Sequence, residues 1–205
     1  MRRLMLISAF FVPLTMFGQE LNVKDSYGGM FSFGVRSTMS FFNAHEDESN
    51  GMGVGGQFRI QFSDRVNSDW FFDYLKSSIG DYASRTDYHI GWSVLYYVTP
   101  KQDALLRPYI LAGHCFDYTR IADNADHNNV AERWSSAVQG GAGVHLNLSP
   151  RMDMSFVGQY MIHLGNELHA ERDAGKVYFH EEKGASMEGH LLFNVSINYK
   201  IGDLW

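Results

Sequence analysis

The sequence contains little cysteine and little proline, and each shortage narrows the class of protein. Cys115 is the only cysteine among 205 residues, so an internal disulfide is excluded. Because Cys115 lies far from the N-terminus, it cannot carry a lipoprotein anchor, and we interpret it as a small strand residue. Only 4 prolines accompany 20 glycines and 15% aromatic residues, which favours a β-rich chain.

The N-terminal apolar run from Leu4 to Phe17 is too short for a membrane-spanning helix. It follows Arg2 and Arg3 and precedes Gly18, which is the layout of a secretory signal peptide. We therefore predict a signal peptide over residues 1–19, with an approximate cleavage site, and one barrel domain over residues 20–205. Loss of the two arginines leaves 15 basic against 23 acidic residues, and this acidic balance argues against a nucleic-acid partner.

Strict alternation of apolar and polar residues marks eight segments of the remaining chain, and no amphipathic helix of comparable length is found. Such alternation predicts strands with one apolar and one polar face. In the last segment the apolar face carries Leu191, Phe193, Val195, Ile197, Tyr199 and Ile201. Only the fifth segment, RPYILAGHCFDY, is ambiguous in phase.

Strand registers follow from matching the faces of neighbouring segments. Folding the second and third strands about Val66 places Phe62 opposite Trp70 and Arg59 opposite Asp73. Folding the sixth and seventh strands about Pro150 places Leu146 opposite Met154, Val144 opposite Phe156, and Gly140 opposite Tyr160, whose ring could cover the glycine.

Predicted connections alternate between short and long. The second, fourth and sixth, SDRVNS, TPKQDA and SPR, are tight, whereas the first, third, fifth and seventh are longer. This alternation on an even number of strands, each of about ten residues or more, is typical of outer-membrane barrels. The segment GMGVGG, Gly51 to Gly56, is predicted to be a hinge into a strand, since no helix follows it to form a dinucleotide site.

Architecture and terminal segment together resemble the small eight-stranded outer-membrane proteins of the OmpX type and the membrane domain of OmpA. In such barrels the last strand ends in an aromatic residue with apolar residues at alternate positions before it, as do Trp205, Ile201 and Tyr199 here. The resemblance implies an all-β, eight-stranded antiparallel up-and-down transmembrane barrel in the outer membrane of a Gram-negative bacterium. It also implies recognition of the C-terminal strand by the barrel-assembly machinery.

Inward-facing polar residues are expected to fill such a barrel, because eight strands leave an interior that side chains just occupy. The predicted set is Arg36, Arg59, Asp73, His89, Gln139, His145, Gln159 and Lys200. Arg59 and Asp73 are expected to neutralise each other, since either charge alone would be costly to bury. A proton or ion path through the plug is the alternative.

Enzymatic activity is not expected, and no catalytic, cofactor or metal site is predicted. The segment MIHLGNEL resembles the ends of a lipid-A deacylase motif at His163 and Asn166, but the nucleophilic serine is missing. The later part of the chain contains residues that can ligate metals, yet their spacing matches no known motif: His169, Glu171, His180, Glu181 and Glu182, with His163 and Glu167 before them.

The predicted function is therefore that of a non-enzymatic barrel whose four surface loops serve envelope structure or surface interaction. Its expected partners are outer-membrane lipid and lipopolysaccharide, and an extracellular or envelope protein. Three alternatives stay open: a subunit of an envelope secretion or lipid-handling machine, a lipid-A-modifying barrel enzyme, and a soluble lipocalin-like carrier with the apolar face turned inward.

Overall fold

The computed structural model describes residues 28–42, 49–182 and 189–205, so the predicted signal peptide lies outside the described residues. These ranges form ten strands: β1 (Met30–Phe42), β2 (Gly51–Gln61), β3 (Val66–Ile79), β4 (Ala83–Tyr97), β5 (Leu106–Asp123), β6 (Val130–Asn147), β7 (Met152–Leu164), β8 (Glu167–Asp173), β9 (Lys176–Glu182) and β10 (Gly189–Asp203). Within the described ranges, no helix is long and apolar enough to cross a membrane.

Eight of the strands close into one antiparallel barrel in the order β1-β10-β7-β6-β5-β4-β3-β2. Each strand pairs with its neighbour along the chain, except that β10 follows β7 after the separate β8–β9 hairpin and then closes the wall against β1. The prediction of an all-β, eight-stranded antiparallel up-and-down barrel is confirmed.

The barrel is wide enough for side chains but not for an open channel. Following paired residues once around the wall from Ser32 leads back to β1 at Phe42, a stagger of ten residues. Such a stagger on eight strands corresponds to a strand tilt of about 40°, and a barrel of this size has an interior that side chains fill.

The two ends of the barrel differ. At one end, here called the terminal end, lie Met30, Asp203 and the connections 62–65, 98–105 and 148–151. The opposite end carries the β8–β9 hairpin and is called the hairpin end. There Ala174 and Gly175 form the two-residue turn with positive φ values of 47° and 81°, as a tight hairpin turn requires.

The predicted alternation of short and long connections is wrong in detail. The third connection spans only residues 80–82, where Gly80 adopts φ +53°, whereas the predicted short fourth connection spans residues 98–105. The reason is that β3 and β4 stay paired as far as Ile79 and Ala83, where the sequence predicted a loop. The first connection lies largely outside the described residues.

Register predictions were correct at one turn and wrong at the other. The pairs Leu146–Met154, Val144–Phe156 and Gly140–Tyr160 are all present. Between β2 and β3, however, Phe58 pairs with Trp70, and Arg59 pairs with Asp69 rather than with Asp73. The turn closes earlier than predicted, with the amide of Phe62 donating to Val66 O. This shift of an even number of residues keeps every side chain on its predicted face.

Two glycine predictions also change. GMGVGG is not a hinge before a strand, because Gly51 to Gly56 all belong to β2. Tyr160 does not cover Gly140, since a Cβ at Gly140 would meet only Leu111 O within 4 Å. The Tyr160 ring instead lies over Gly189, where an added Cβ would contact the ring.

Candidate functional site in the barrel interior and at the hairpin end

The interior of the barrel is polar and charged, as predicted. Seven of the eight predicted inward residues are buried, from Arg36 at 6% to His89 at 0% exposure, and Lys200 is partly buried. A lipocalin would have the reverse arrangement, with apolar residues lining the interior. The soluble-carrier alternative therefore does not fit this barrel.

Two buried ion pairs neutralise charge in the interior, one at mid-height and one nearer the terminal end. Arg36 Nε lies 3.0 Å from Asp73 Oδ1, and Arg59 pairs with Asp153 across the barrel. The predicted neutralisation of Arg59 by Asp73 is therefore wrong. Sequence patterns could not find Asp153 as the partner, because β2 and β7 do not lie next to each other in the wall.

Further polar contacts extend these pairs towards the terminal end. Arg59 Nη1 also lies 2.7 Å from His145 Nε2, and the Tyr97 hydroxyl lies 3.0 Å from His145 Nδ1. The guanidinium of Arg107 stacks over the Tyr97 ring at 3.8 Å and donates to Asp64 O. Because these groups bond to one another across the lumen, they close it with side chains.

Apolar side chains also occupy the interior, which sequence reasoning missed. One cluster lies at mid-height and a second lies nearer the terminal end: Phe71, Leu75, Cys115, Ala137, Met161 and Leu192, then Leu95, Tyr97, Tyr109 and Leu111. β5 supplies Tyr109, Leu111 and Cys115 to these clusters, so its inward face is largely apolar. This explains why the phase of the fifth segment was ambiguous.

Inward-facing glycines make room for the large apolar residues. A Cβ at Gly91 would lie 2.7 Å from the Phe71 ring, and a Cβ at Gly143 would lie 2.6 Å from the Tyr109 ring. Two cavities inside the wall have volumes of only about 10 and 20 Å³. A cavity of that size holds about one water molecule, so neither forms a channel.

Asp117 is the centre of a buried cluster near the hairpin end. Its carboxylate lies 3.4 Å from His89 Nε2, 3.2 Å from His163 Nδ1 and 3.6 Å from Arg133 Nη2. His163 Nε2 in turn faces His190 Nε2 at 3.4 Å. The sequence predicts separate places for His89, in the interior, and His163, in the deacylase-like segment, and only the closed barrel brings them to one carboxylate.

This cluster does not form a hydrolytic triad. A serine nucleophile would have to approach His163 Nε2, the nitrogen opposite the one that faces Asp117. That position is taken by His190, and His163 points into the barrel rather than towards lipid. Asn166 lies in the connection before β8, where its backbone oxygen accepts a hydrogen bond from Arg133.

The β8–β9 hairpin packs against the hairpin end of the wall. Its Leu168, Ala170 and Phe179 join an apolar cluster with Ile79 and Ile121. The Tyr82 hydroxyl donates to Ala170 O at 3.1 Å, and Asn129 Nδ2 donates to Val177 O at 3.0 Å. β8 is therefore bonded to the turn at residues 80–82, and β9 to the turn at residues 124–129.

The opposite face of the hairpin is exposed and polar. It carries His169 directly across from His180, and His180 Nε2 lies 3.8 Å from a Glu171 carboxylate oxygen. Across the described ranges, no group of three His, Cys, Asp or Glu side chains is arranged to hold a metal ion. Glu167 and Glu182 pair through their backbones, and Glu181 accepts a hydrogen bond from Asn166.

The turn between β5 and β6 also lies at this end and is ordered by one carboxylate. Asp123 accepts hydrogen bonds from the amide of Ala125 at 2.8 Å and from Asn129 Nδ2 at 3.3 Å. The hydrogen bond from the Ala125 amide, supported by the one from Asn129, holds the pKa of Asp123 below its ordinary value.

The outer surface of the wall is an apolar belt. Large apolar residues that are buried in soluble proteins are exposed at alternate positions of every barrel strand, such as Val35 at 63%, Ile110 at 58% and Val195 at 43%. His114 is an exception in the middle of this belt, where it forms an edge contact with Phe116 at 4.9 Å. An apolar belt around a closed barrel is the surface that meets lipid.

Solved structures of outer-membrane proteins share this fold. Neisserial surface protein A has a TM-score of 0.60 at 13% identity, and covers 86% of this chain and 99% of its own. A major outer membrane protein from Thermus thermophilus has a TM-score of 0.57 at 10% identity, covering 83% and 98%. Ail, the attachment invasion locus protein of Yersinia pestis, has a TM-score of 0.50 at 11% identity, covering 85% and 96%.

No protein-family model matches the sequence, and no curated protein sequence matches it either. The likeness to solved structures therefore concerns the fold. The prediction of a small eight-stranded barrel of the outer-membrane type is confirmed by those structures together with the apolar belt. The chain has the fold of a transmembrane β-barrel protein of the Gram-negative outer membrane.

Proposed function

We propose that this protein is a non-enzymatic outer-membrane barrel that anchors an exposed hairpin for surface interaction. The observation that carries the proposal is the contrast between a lumen filled by bonded side chains and a hairpin that extends beyond the wall. Barrels with filled interiors do not serve diffusion, so their loops are the parts available for binding. The hairpin end, opposite both barrel termini, faces the outside under this proposal, as in other barrels with short periplasmic turns.

Two proteins of similar structure support the same proposal by analogy. One similar structure is described as a surface protein and another as an attachment invasion locus protein. The exposed face of the hairpin offers charged, imidazole and aromatic groups, among them Glu171, Tyr178 and His180, which suit binding to a polar partner. Along the chain end, Val195, Ile197 and Ile201 face lipid from β10, which supports recognition of this strand by the assembly machinery.

The decisive experiment replaces residues 166–182 with a short glycine-serine linker. Cells of a Gram-negative host would carry either the full-length protein or this variant at equal surface level. We expect the full-length protein to cause measurable adhesion to immobilised matrix proteins or to neighbouring cells, and the variant to lose it. An unheated sample that migrates differently from a boiled one shows that the variant barrel is folded.

Two outcomes would contradict the proposal. Adhesion that persists without the hairpin would place the interaction elsewhere. Stepwise conductance of the purified protein in a planar bilayer would show an ion path through the lumen. Recovery of fixed envelope proteins with the tagged barrel, in place of any adhesion, would favour the machine-subunit alternative.

A further inference from the structure

Two adjacent rows of side chains cross the outer surface near the hairpin end. The first, the aromatic row, consists of successive register partners on β3, β4, β5 and β6: Tyr74, Tyr88, Tyr118 and Trp134. Their ring centroids lie 5.2, 5.8 and 4.8 Å apart in that order. Tyrosine and tryptophan are the residues that collect in the headgroup region, so this row indicates that region of the wall, and the strand tilt of about 40° makes the row rise along the barrel axis from strand to strand.

The second row lies two residues nearer the hairpin end and is polar. It consists of the next outward-facing partners on the same four strands: Lys76, Thr86, Arg120 and Glu132. Lys76 and Arg120 are exposed, and Arg120 Nε lies 3.4 Å from Glu132 Oε1 with both side chains about half exposed. This polar row follows the aromatic row directly.

Charge on this part of the wall is confined to the polar row. Lys76, Arg120 and Glu132 are the charged residues among the described outward-facing positions of the barrel strands in the half towards the hairpin end. The formal charges of these three residues add up to +1, although the whole chain has a net charge of -6. The basic groups therefore stand against the overall charge balance of the protein, directly beside the aromatic row.

The spacing of the two basic residues suits a phosphate between them. Lys76 and Arg120 lie two strands apart, which is about 10 Å, with Thr86 on the strand between. Long flexible lysine and arginine side chains can converge on one phosphate across that gap, and arginine can bind it through two N–H groups. The Thr86 hydroxyl and the Glu132 carboxylate remain beside it as hydrogen-bonding groups.

We propose that the polar row binds a phosphorylated glycolipid of the outer leaflet. Lys76 and Arg120 bind its sugar phosphate, Thr86 and Glu132 bond to sugar hydroxyls, and the aromatic row packs against the start of its acyl chains. This site rests on the orientation in the proposed function, because it requires the hairpin end to face outward. A glycolipid bonds to the Glu132 carboxylate and the Thr86 hydroxyl as well as to the two cations, whereas a lipid phosphate without headgroup hydroxyls would use the cations alone.

The test uses the full mature chain folded into phosphatidylcholine nanodiscs that contain a small fraction of bisphosphorylated lipid A. Native mass spectrometry would count retained lipid A on the wild type and on Lys76→Gln/Arg120→Gln. Removal of both charged donors should weaken retention by about tenfold or more. The matched control is Arg172→Gln/Lys176→Gln, which removes the same charge from the hairpin at the same end and should retain wild-type binding.

Two further lipids test which groups of lipid A are bound. Dephosphorylated lipid A should be retained as weakly by the wild type as lipid A is by the double variant. Phosphatidic acid, which carries a phosphate but no headgroup hydroxyl, should be retained less than lipid A at the same fraction. Equal retention of phosphatidic acid and lipid A would overturn the glycolipid assignment, and an unaffected double variant would overturn the site.

The result stays separate from the test of the proposed function. Both variants must still show different migration when unheated and boiled, which confirms a folded barrel. If adhesion depends on the hairpin but lipid A is not bound, only the proposed lipid site at the polar row is wrong. If the full-length protein shows no adhesion that depends on the hairpin while lipid A binding is intact, the polar row stays in place and the surface-interaction proposal is overturned.

Discussion

The two faces of the same barrel wall obey different packing rules. The outer face meets a uniform solvent, so each residue there needs only to be apolar, as Val195 and Ile110 are. The inner face meets other side chains, so each residue must match a particular partner in size, charge and distance. Arg36 requires Asp73, Arg59 requires Asp153, and Phe71 requires the space left by Gly91. The outer face should therefore tolerate exchange of one apolar residue for another. The inner face should tolerate only substitutions that still fit the partner of the replaced residue.

The largest effect is expected from breaking a buried ion pair. Arg59→Met leaves the Asp153 carboxylate buried without its guanidinium, which should lower the free energy of unfolding by about 3–5 kcal/mol. Denaturant unfolding in lipid vesicles, followed by tryptophan fluorescence, measures the change. The double variant Arg59→Met/Asp153→Leu should recover most of the loss. A double variant no more stable than the single one would show that the pair is not coupled.

A charge placed on the outer face should cost somewhat less. Val195→Lys puts an ammonium group into the middle of the apolar belt, and a basic residue at the bilayer midplane costs about 2–4 kcal/mol. Ser78→Lys is the matched control, because Ser78 is exposed on β3 beyond Lys76 and near the hairpin end. Equal unfolding free energies for the two variants would mean that the belt is not in contact with lipid.

The smallest changes in the free energy of unfolding are expected at two adjacent glycines, where alanine should have opposite effects. Gly55→Ala forces a Cβ against the Asp73 carboxylate and the Phe72 backbone oxygen, and such overpacking costs about 1–3 kcal/mol. Gly56→Ala points outward, where the nearest atom is Gly34 O at 3.8 Å. It should stabilise the barrel by about 0.5 kcal/mol, because alanine restricts the unfolded chain. The same unfolding experiment compares them, and destabilisation of equal size at both positions would contradict the difference between faces.

Much of the barrel could be predicted because the alternation of side chains is a local property. The eight strands, the inward set from Arg36 to Lys200 and the register about Pro150 all follow from residues close together in the chain. The register about Val66 failed because matching faces cannot distinguish shifts by an even number of residues. The phase of β5 stayed ambiguous because Tyr109, Leu111 and Cys115 on its inward face are as apolar as the outward residues between them.

The sequence by itself determined the number of barrel strands, the faces of all of them but β5, and the chemistry of the lipid-facing belt, since lipid selects only for apolar character. Only the tertiary structure decided which charges meet: Arg59 with Asp153, and Asp117 with His89, His163 and Arg133. These partners lie on different strands and come together through closure of the barrel and its stagger of ten residues. Closure is a property of the whole wall, and for that reason no single segment encodes it.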